Sequence, residues 1–377
     1  MIGVVSIIAV YRAASESSAT GAVVRTYARP PGGPTLGGVT WRPSRERGEV
    51  DDRIGLMGFG SYAPARVMTN DDWSKLVDTD DAWIVERTGI RERRFAADDE
   101  STLDLAAAAA AKALADAGIG ASDIDEIIVA TDTPEVYTPD TAAFLQDRLG
   151  AREVPAFDLG GSGCAGFVLA LDIARTRVMA GAQRILVVGV ELISRLMDWT
   201  DRNTCVLFGD AAGAVIVGRG AIEAELLGAT SGTDGSRAGI LTLETGGTRR
   251  PFSLEEAEKG GQHDIVMNGR EVFREAVRRM SAATEQVLQD IGRMKEEVAL
   301  VIPHQANLRI IDAVRSRLGV DEDKVFVNVD RFGNTGSASV PLALAQAREE
   351  GRIRAGDLVV LTAFGAGFHW SAAALQF

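Results

Sequence analysis

Cys164 lies in the stretch "GGSGCAGF", between the apolar run "VPAFDL" and the helix-like run "VLALDIARTRVMAG". Glycines allow a sharp turn and a close approach of other backbone, and the first N–H groups of the next helix would point at the sulfur. Such surroundings lower the pKa of a thiol and favour the nucleophilic thiolate. A small buried cysteine is the alternative. Cys205 begins an apolar strand-like run and is predicted to belong to the core.

A cysteine nucleophile needs a group that handles protons or charge, and the chain has three histidines. His304 follows the run "VALVIP" and precedes a helix-like run, at the kind of strand edge where α/β enzymes hold catalytic groups. His263 lies in a polar loop and is interpreted as a surface residue. His369 lies in a predicted C-terminal strand, either as a structural residue or as a neighbour of the site. The alternative for His304 is also structural.

Asn334 is the third candidate and lies in "RFGNTGSASV". An asparagine amide can donate hydrogen bonds to a developing oxyanion without titrating. The alternative is an asparagine that only forms the turn between Gly333 and Gly336.

Apolar strand-like runs alternate with helix-like runs from about residue 54 onward. Several are continuous Val, Ile and Leu stretches, as strands buried on both faces require. The sequence therefore predicts a layered α/β fold. The strand-like runs are "DRIGLMGFGSY", "EIIVATDT", "PAFDLG", "RILVVGVEL", "AGAVIVGRG", "EVALVIPH", "KVFVNV" and "GDLVVLTAFG", and the helix-like runs include "TLDLAAAAAAKALADAG", "GREVFREAVRRMSAATEQVLQDIG" and "LRIIDAVRSRLG".

The chain contains an internal repeat. A shift of 173 positions places "GCAGFVLALDIAR" (163–175) over "GSASVPLALAQAR" (336–348), with seven of thirteen residues identical. Each copy follows a strand-like run and a glycine-rich turn and leads to another apolar run, which indicates duplication rather than similar composition. Cys164 corresponds to Ser337, so Asn334 lies at the matching junction of the second copy.

The repeat predicts two similar halves, residues 54–220 and 221–377, with a site between them. Residues 1–53 show no periodicity and contain Pro-Pro and Gly-Gly pairs. They are interpreted as a flexible extension or as the result of a start codon set too far upstream.

Composition excludes several classes of protein. A net charge of −13, from 40 basic and 53 acidic residues, gives no overall field that attracts nucleic acid or anionic membranes. No apolar run approaches the ~18 residues of a membrane span. Two cysteines cannot form a disulfide framework, and no Cys/His spacing typical of metal sites is present. We expect a cytoplasmic protein without a metal.

The motifs together resemble β-ketoacyl-acyl carrier protein synthase III, a condensing enzyme of the thiolase superfamily. The resemblance runs from about Ile54 to Phe377 and rests on "TDDAWIVERTGIRERR", "GSGCAGF", "DRNTCVLFGDAAGA", "GREVF", "VIPHQANLRII", "RFGNTGSASVPLAL" and "AFGAGFHW". It implies a five-layered αβαβα fold of two duplicated halves, a homodimer, and no metal or redox cofactor.

The resemblance also implies a reaction. Cys164 would take an acyl group from acyl-CoA, and His304 and Asn334 would promote the decarboxylation of malonyl-acyl carrier protein. The resulting carbanion would attack the acyl-Cys164 thioester and give a 3-ketoacyl-acyl carrier protein, the first condensation of fatty acid synthesis. The backbone N–H groups of Cys164 and Ala366 would form the oxyanion hole, although family members often have glycine at the second position.

Further positions match family binding residues, and each has a plain structural alternative. Trp83 and Arg202 match positions that sandwich the CoA adenine, Arg87 lies near them for phosphate or ribose, and Asn307 matches a residue on the pantetheine side. A basic patch for the acidic carrier protein is implied, or else solvated helix faces. Its candidates are Arg274, Arg309, Arg315 and Arg317, of which Arg274 and Arg309 match docking positions.

The resemblance places Thr138 and Phe364 at the primer pocket. Some members have a Phe at the position of Thr138, reached across the dimer interface, so the smaller Thr predicts room for primers longer than acetyl. The segment 244–263 is longer than usual and could cover the tunnel. His369 occupies a position usually held by Thr.

Three alternatives remain at this point. One is a relative of the same fold in secondary metabolism that condenses or transfers a different acyl group. Another is a thiol hydrolase with a Cys-His-Asn set, whose papain-like form would share the order of the three residues but not the signature around the cysteine. The third is a thiolase-fold scaffold without catalytic activity.

Overall fold

The computed structural model describes residues 52–258 and 265–377. The predicted N-terminal extension, apart from its last two residues, and His263 lie outside these ranges. None of the described helices combines the length and the apolar character that crossing a membrane requires.

Strands and helices alternate through most of the described chain, as the sequence predicts. The strands are Ile54–Tyr62 (β1), Arg66–Thr69 (β2), Glu92–Phe95 (β3), Glu126–Ala130 (β4), Ala156–Leu159 (β5), Arg184–Leu192 (β6), Asp210–Arg219 (β7), Ala224–Thr233 (β8), Leu241–Leu243 (β9), Ile265–Met267 (β10), Val298–Pro303 (β11), Leu358–Gly365 (β12) and His369–Gln376 (β13). The helices are Asn70–Trp73 (α1), Asp81–Thr88 (α2), Thr102–Asp116 (α3), Thr141–Leu149 (α4), Gly166–Met179 (α5), Leu254–Glu258 (α6), Gly269–Asp290 (α7), Leu308–Leu318 (α8), Val329–Phe332 (α9) and Ser339–Glu349 (α10).

A nine-stranded mixed sheet forms the centre, in the order β11-β12-β13-β8-β1-β7-β6-β4-β5. The order is symmetric about the β1–β8 pair except for β5, which has no counterpart beyond β11. On one side β4 pairs with β6 in parallel, β6 pairs with β7 antiparallel, and β7 pairs with β1 antiparallel. On the other side β11 pairs with β12 in parallel, β12 pairs with β13 antiparallel, and β13 pairs with β8 antiparallel. Strands β1 and β8 pair through two residue pairs, Gly55–Glu225 and Leu56–Ala224. This short contact divides the sheet into two half-sheets.

Helices α5 and α10 form the middle layer because each of them contacts strands of both half-sheets. Helix α3 covers the outer face of one half-sheet at β1, β6 and β7, and α7 covers the other at β8, β12 and β13. The five layers therefore follow the order α, β, α, β, α. This is the thiolase-like fold of two duplicated halves that the sequence predicts.

The two copies of the repeat have matching backbones. Residues Gly163–Ala165 form a 3-10 turn before α5, and Gly336–Ala338 form the same turn before α10. The first glycine of each turn has a left-handed backbone, with φ of 55° at Gly163 and 56° at Gly336. The boundary predicted at residue 220 lies between the end of β7 and the start of β8.

Two local predictions were wrong. The run "KVFVNV" is not a strand: Val325 makes only an isolated bridge to Val301, and the last residue of the run, Val329, begins α9. The side-chain oxygen of Gln305 accepts the N–H groups of Asn328 and Val329, so these donors are not available to a strand ladder. Cys205 lies in a series of turns rather than in a strand, but it is fully buried, as predicted.

Small residues allow the layers to approach closely. A Cβ atom on Gly60 of β1 would lie 2.2 Å from the carbonyl oxygen of Ala109, so the alanine-rich face of α3 rests directly on the strand backbone. In the middle layer, a Cβ atom on Gly213 of β7 would lie 2.6 Å from Cβ of Pro341. Interiors packed this tightly tolerate added atoms poorly.

Replacing Gly213 with Ala should therefore destabilise the fold by about 1–3 kcal/mol because the new methyl group pushes α10 away from β7. Gly269→Ala is a matched control, since a Cβ atom at Gly269 would meet nothing within 4 Å. Chemical unfolding measures both variants. Equal unfolding free energies for the two variants would contradict this account of the packing.

Candidate active site

The Cys164 turn packs directly against the end of β12. A Cβ atom on Gly365 would lie 2.4 Å from the backbone nitrogen of Cys164, and one on Gly163 would lie 2.5 Å from the backbone nitrogen of Ala366. Only glycine fits at these two positions without a shift of the backbone. The predicted oxyanion-hole donors, Cys164 and Ala366, are thus carried by two chain segments in close contact.

Asn334 lies at the matching turn of the second half. Its backbone N–H donates to the carbonyl of Leu207 at 2.8 Å, and its own carbonyl accepts the N–H of Gly209 at 2.9 Å. The side-chain oxygen Oδ1 accepts the N–H of Gly336 at 3.0 Å and lies 4.0 Å from Sγ of Cys164. This orientation leaves the two hydrogens of the amide nitrogen as donors. The structure therefore brings Cys164 and Asn334 together.

His304 occupies the same edge of the sheet, directly after β11. Its backbone N–H donates to the carbonyl of Thr362 in β12 at 2.7 Å. The side chain is buried, and Nδ1 has no hydrogen-bond partner among the described residues. Burial lowers the pKa of His304 to about 3, because the cation would lose its hydration. His304 is therefore neutral at physiological pH.

The expected low pKa of Cys164 is wrong. Burial raises the pKa of the thiol, and the negative charges of Glu191 and Asp132 raise it further. The backbone N–H of Cys164 and the Asn334 side chain act in the opposite direction and do not compensate. Desolvation outweighs the helix N-terminus here, and the thiol is neutral at physiological pH.

Two acidic residues beside Cys164 were missed by the sequence analysis. Oε1 of Glu191 accepts the N–H of Asp132 at 3.1 Å, and Oε2 accepts the hydroxyl of Thr133 at 2.9 Å. Oδ1 of Asp132 accepts the N–H of Gly161 at 2.8 Å, in the turn before the cysteine. A charged residue near the end of the apolar run "RILVVGVEL" was the available signal, since buried strands rarely hold an acid without a reason.

The residues predicted to hold CoA adenine come together around Trp83. The guanidinium carbons of Arg87 and Arg202 lie 4.4 Å and 5.3 Å from the centre of the Trp83 ring. Arg202 also lies 3.2 Å from a carboxylate oxygen of Asp78. A half-buried indole flanked by cations is suited to stacking with an aromatic base and to binding phosphate.

Asn307 and Arg309 connect α8 to α2. Oδ1 of Asn307 caps α8 by accepting the N–H of Arg309 at 2.8 Å, and its Nδ2 donates to the carbonyl of Arg87 at 3.1 Å. Nε of Arg309 donates to the carbonyl of Glu86 at 3.1 Å. Both side chains thus form hydrogen bonds with the backbone of α2, the helix that contains Trp83 and Arg87.

The other candidate docking arginines differ in their surroundings. Arg274 is exposed on α7 and lies 3.6 Å from Glu275, which also pairs with Arg278 and Arg279. On α8, Arg315 is half-buried and lies 3.7 Å from Asp312, while Arg317 is exposed. Glu275 therefore reduces the local positive charge of α7.

A cavity of about 920 Å³ adjoins the Cys164 turn, and Gly160, Gly161 and Ala366 line part of it. Its size lies within the range of small-molecule sites, about 300–1,000 Å³. Thr138 is exposed beside this cavity but does not line it. Phe364 is buried outside the cavity, with its ring centre 4.8 Å from that of Phe368.

Comparisons with known proteins agree on one family. Residues 273–377 match the family described as "3-Oxoacyl-[acyl-carrier-protein (ACP)] synthase III C terminal", and residues 157–235 match "3-Oxoacyl-[acyl-carrier-protein (ACP)] synthase III". The β-ketoacyl-[acyl-carrier-protein] synthase III of Caldanaerobacter subterraneus subsp. tengcongensis is 47% identical over 323 residues, 85% of this chain and 97% of that protein. The chain belongs to the β-ketoacyl-acyl carrier protein synthase III family.

Solved structures agree with this assignment. The crystal structure of the synthase III from Thermus thermophilus is 47% identical, covers 86% of this chain and 99% of its own, and has a TM-score of 0.79. The priming β-ketosynthase of the R1128 polyketide pathway is 35% identical, covers 89% of this chain and 99% of its own, and has a TM-score of 0.78. The chain is an acyltransferase of the condensing type, which excludes the papain-like hydrolase and the inactive scaffold.

The low pKa of His304 predicts an acid sensitivity of the fold. Because the pKa is about 3 in the folded chain and about 6.5 in the unfolded chain, only the unfolded state gains this proton between these values. Stability should therefore fall as pH drops below about 6.5, by up to about 1.4 kcal/mol per pH unit. His304→Asn should remove that part of the slope in unfolding measured from pH 7 to 5. An unchanged slope would show that His304 does not titrate as described.

Proposed function

We propose that this enzyme joins an acyl-CoA primer to malonyl-acyl carrier protein by decarboxylative Claisen condensation and releases CO2 and a 3-ketoacyl-acyl carrier protein. The observation that carries the proposal is the convergence of Cys164 with Asn334 at 4.0 Å, together with the contact between the Cys164 turn and Gly365–Ala366. A nucleophile, a neutral donor and two backbone donors thus occur at one edge of the sheet.

In the first half-reaction, Sγ of Cys164 attacks the thioester carbon of the primer. The carbonyl oxygen becomes an oxyanion, which the N–H groups of Cys164 and Ala366 stabilise. The bond to the CoA sulfur then breaks, and the thiol proton ends on the departing CoA. Because the free thiol is neutral, proton transfer accompanies attack instead of preceding it.

In the second half-reaction, the malonyl thioester loses CO2 and leaves an enolate. His304, which is neutral, and the amide of Asn334 donate hydrogen bonds to the enolate oxygen. Neutral donors suit this step because a charged imidazolium could protonate the carbanion. The carbanion then attacks the acyl-Cys164 thioester, a carbon–carbon bond forms, the carbon–sulfur bond breaks, and Cys164 leaves as a thiolate that takes up a proton from water.

The remaining assignments concern binding. We propose that Trp83, Arg87 and Arg202 hold the nucleotide end of CoA, with Asn307 on the pantetheine side, and that Arg274, Arg309, Arg315 and Arg317 meet the acidic carrier protein. We also propose a homodimer, since three apolar side chains near Thr138 are exposed: Val136, Tyr137 and Phe144, at 42%, 84% and 36%. Thr138 and Phe364 remain the proposed primer-pocket residues, the first from the partner subunit.

The priming synthase of polyketide biosynthesis among the solved structures supports a second candidate, a condensing enzyme of secondary metabolism. The two candidates share the residues of the reaction and differ in the primer. The large cavity beside Cys164, with Leu192, Leu241 and Leu243 in its walls, favours primers longer than acetyl in either case.

Intact-mass measurement after mixing the enzyme with a panel of acyl-CoAs tests the proposal. We expect a mass increase equal to the acyl group, lost in Cys164→Ala because the nucleophile is gone, and the preferred chain length identifies the primer. Adding malonyl-acyl carrier protein should then discharge the adduct and form the 3-ketoacyl product. Absence of an adduct with every primer would reject the mechanism.

The contact at Gly365 predicts a second result. Gly365→Ala should slow acylation of Cys164 by roughly tenfold or more, because the new methyl group displaces a backbone donor of the oxyanion hole. Gly160→Ala is the control from the neighbouring turn, where a Cβ atom would lie no closer than 3.6 Å to another atom. Single-turnover acylation, followed by mass, compares them. Equal rates would mean that the close approach is irrelevant to catalysis.

A further inference from the structure

Asp132 follows β4 at the edge of the sheet that carries the site. Strands β6, β4 and β5 are parallel neighbours, so their carboxyl ends meet at this edge. Asp132 lies two residues after β4, Gly161 lies two residues after β5, and Glu191 lies near the end of β6. The reaction as described uses neither acid.

The backbone of Asp132 is held from the side of β6. Oε1 of Glu191 accepts its N–H at 3.1 Å, and Oε2 accepts the hydroxyl of the next residue, Thr133, at 2.9 Å. The same hydroxyl accepts the N–H of Leu192 at 2.9 Å. Glu191 and Thr133 are buried. The side chain of Asp132 therefore extends from a backbone that is fixed on β6.

That side chain contacts the turn that carries the nucleophile. Oδ1 of Asp132 accepts the N–H of Gly161 at 2.8 Å, at the start of the Cys164 turn. Packing does little to fix this part of the turn. A Cβ atom on Gly161 would meet nothing within 4 Å, and one on Gly160 would lie no closer than 3.6 Å to another atom. The end of the turn, from Gly163 onward, is held by its close contact with β12, whereas the start depends on the hydrogen bond.

The charge of Asp132 does not help the nucleophile. Burial is the main cause of the raised pKa of Cys164, and the negative charges of Glu191 and Asp132 add to it. A neighbouring negative charge opposes formation of a thiolate. The hydrogen bond to Gly161 is therefore the property of Asp132 that can serve acyl transfer.

We propose that Asp132 is a positioning residue for acyl transfer: its carboxylate holds the start of the Cys164 turn through the N–H of Gly161 and so places Sγ for attack. The inference rests on the proposed function, because the placement of Sγ matters to catalysis only if Cys164 accepts the acyl group. Asp132 is exposed at the wall of the cavity beside the turn. It can therefore be replaced without leaving a hole in the core.

Two variants of similar size separate the hydrogen bond from the charge. Asp132→Asn and Asp132→Leu both remove the charge, but only asparagine keeps an oxygen that can accept the N–H of Gly161. Single-turnover acylation at saturating primer, followed by intact mass, should slow roughly tenfold or more in Asp132→Leu, because rates respond steeply to the placement of the attacking atom. Asp132→Asn should stay close to the wild-type rate.

Asp125 provides a matched control at the opposite end of β4. Its Oδ2 accepts the N–H groups of Gln183 and Arg184 at 2.8 Å and 3.1 Å. This carboxylate therefore also connects β4 to a neighbouring strand, β6, through backbone N–H groups. Asp125→Leu loses comparable hydrogen bonds at the edge of the sheet away from the site, and it should acylate like the wild type.

Hydrogen exchange reports the same bond without any reaction. In the peptide that contains Gly161, amide exchange should be faster in Asp132→Leu than in the wild type, because an N–H that loses its acceptor is less protected. Asp132→Asn should exchange like the wild type. Mass spectrometry of peptic fragments measures all three proteins.

Each outcome decides for or against the inference. It is overturned if Asp132→Leu and Asp132→Asn acylate equally fast, if Asp125→Leu slows acylation as much as Asp132→Leu, or if exchange at Gly161 is the same in all three proteins. Should Asp132→Leu not fold, Asp132→Ala takes its place in every comparison. If the wild type forms no acyl adduct, the proposed function fails, while exchange still shows whether Asp132 holds the turn.

Discussion

The hydrogen bond from the Ser337 hydroxyl to the Gly163 carbonyl joins the two halves of the molecule at the site. It exists because the 3-10 turns that precede α5 and α10 meet in the middle layer. Gly189 makes room for the meeting, since a Cβ atom there would lie 2.4 Å from the carbonyl oxygen of Ser337. Every group of the proposed reaction is carried by these turns or by the strand ends beside them, so their contact determines the geometry of the site.

The same close packing determines the electrostatics. Desolvation favours the neutral forms of three side chains: the pKa of Cys164 is raised, that of Glu191 is raised and that of His304 is lowered. The proposed carbanion mechanism benefits from such surroundings, because hydrogen-bond donors are strong in a medium of low dielectric constant and a neutral His304 is a weaker acid than an imidazolium.

Much of this arrangement could be predicted from the sequence. The repeat related Cys164 to Ser337 and so placed Asn334 at the matching turn, and the structure brings their side chains to 4.0 Å. The pKa of Cys164 could not be predicted, because desolvation depends on what packs around the thiol rather than on the adjacent helix. Glu191 was missed because its hydrogen-bond partners, Asp132 and Thr133, lie far from it in the chain. The run "KVFVNV" has a strand pattern, but the side chain of Gln305, from another segment, accepts the N–H groups of its last two residues, Asn328 and Val329.

The nearly equal φ angles of Gly163 and Gly336 also bear on how the two halves diverged after the duplication. After duplication, both copies had the same turn and the same helix start. The residues that now follow these glycines, Cys164 and Ser337, have side chains that differ in one heavy atom, sulfur or oxygen. The two copies could thus differ in role without a change of the chain path: one carries the thiol of the proposed reaction, and the hydroxyl of the other donates its hydrogen to the carbonyl of Gly163.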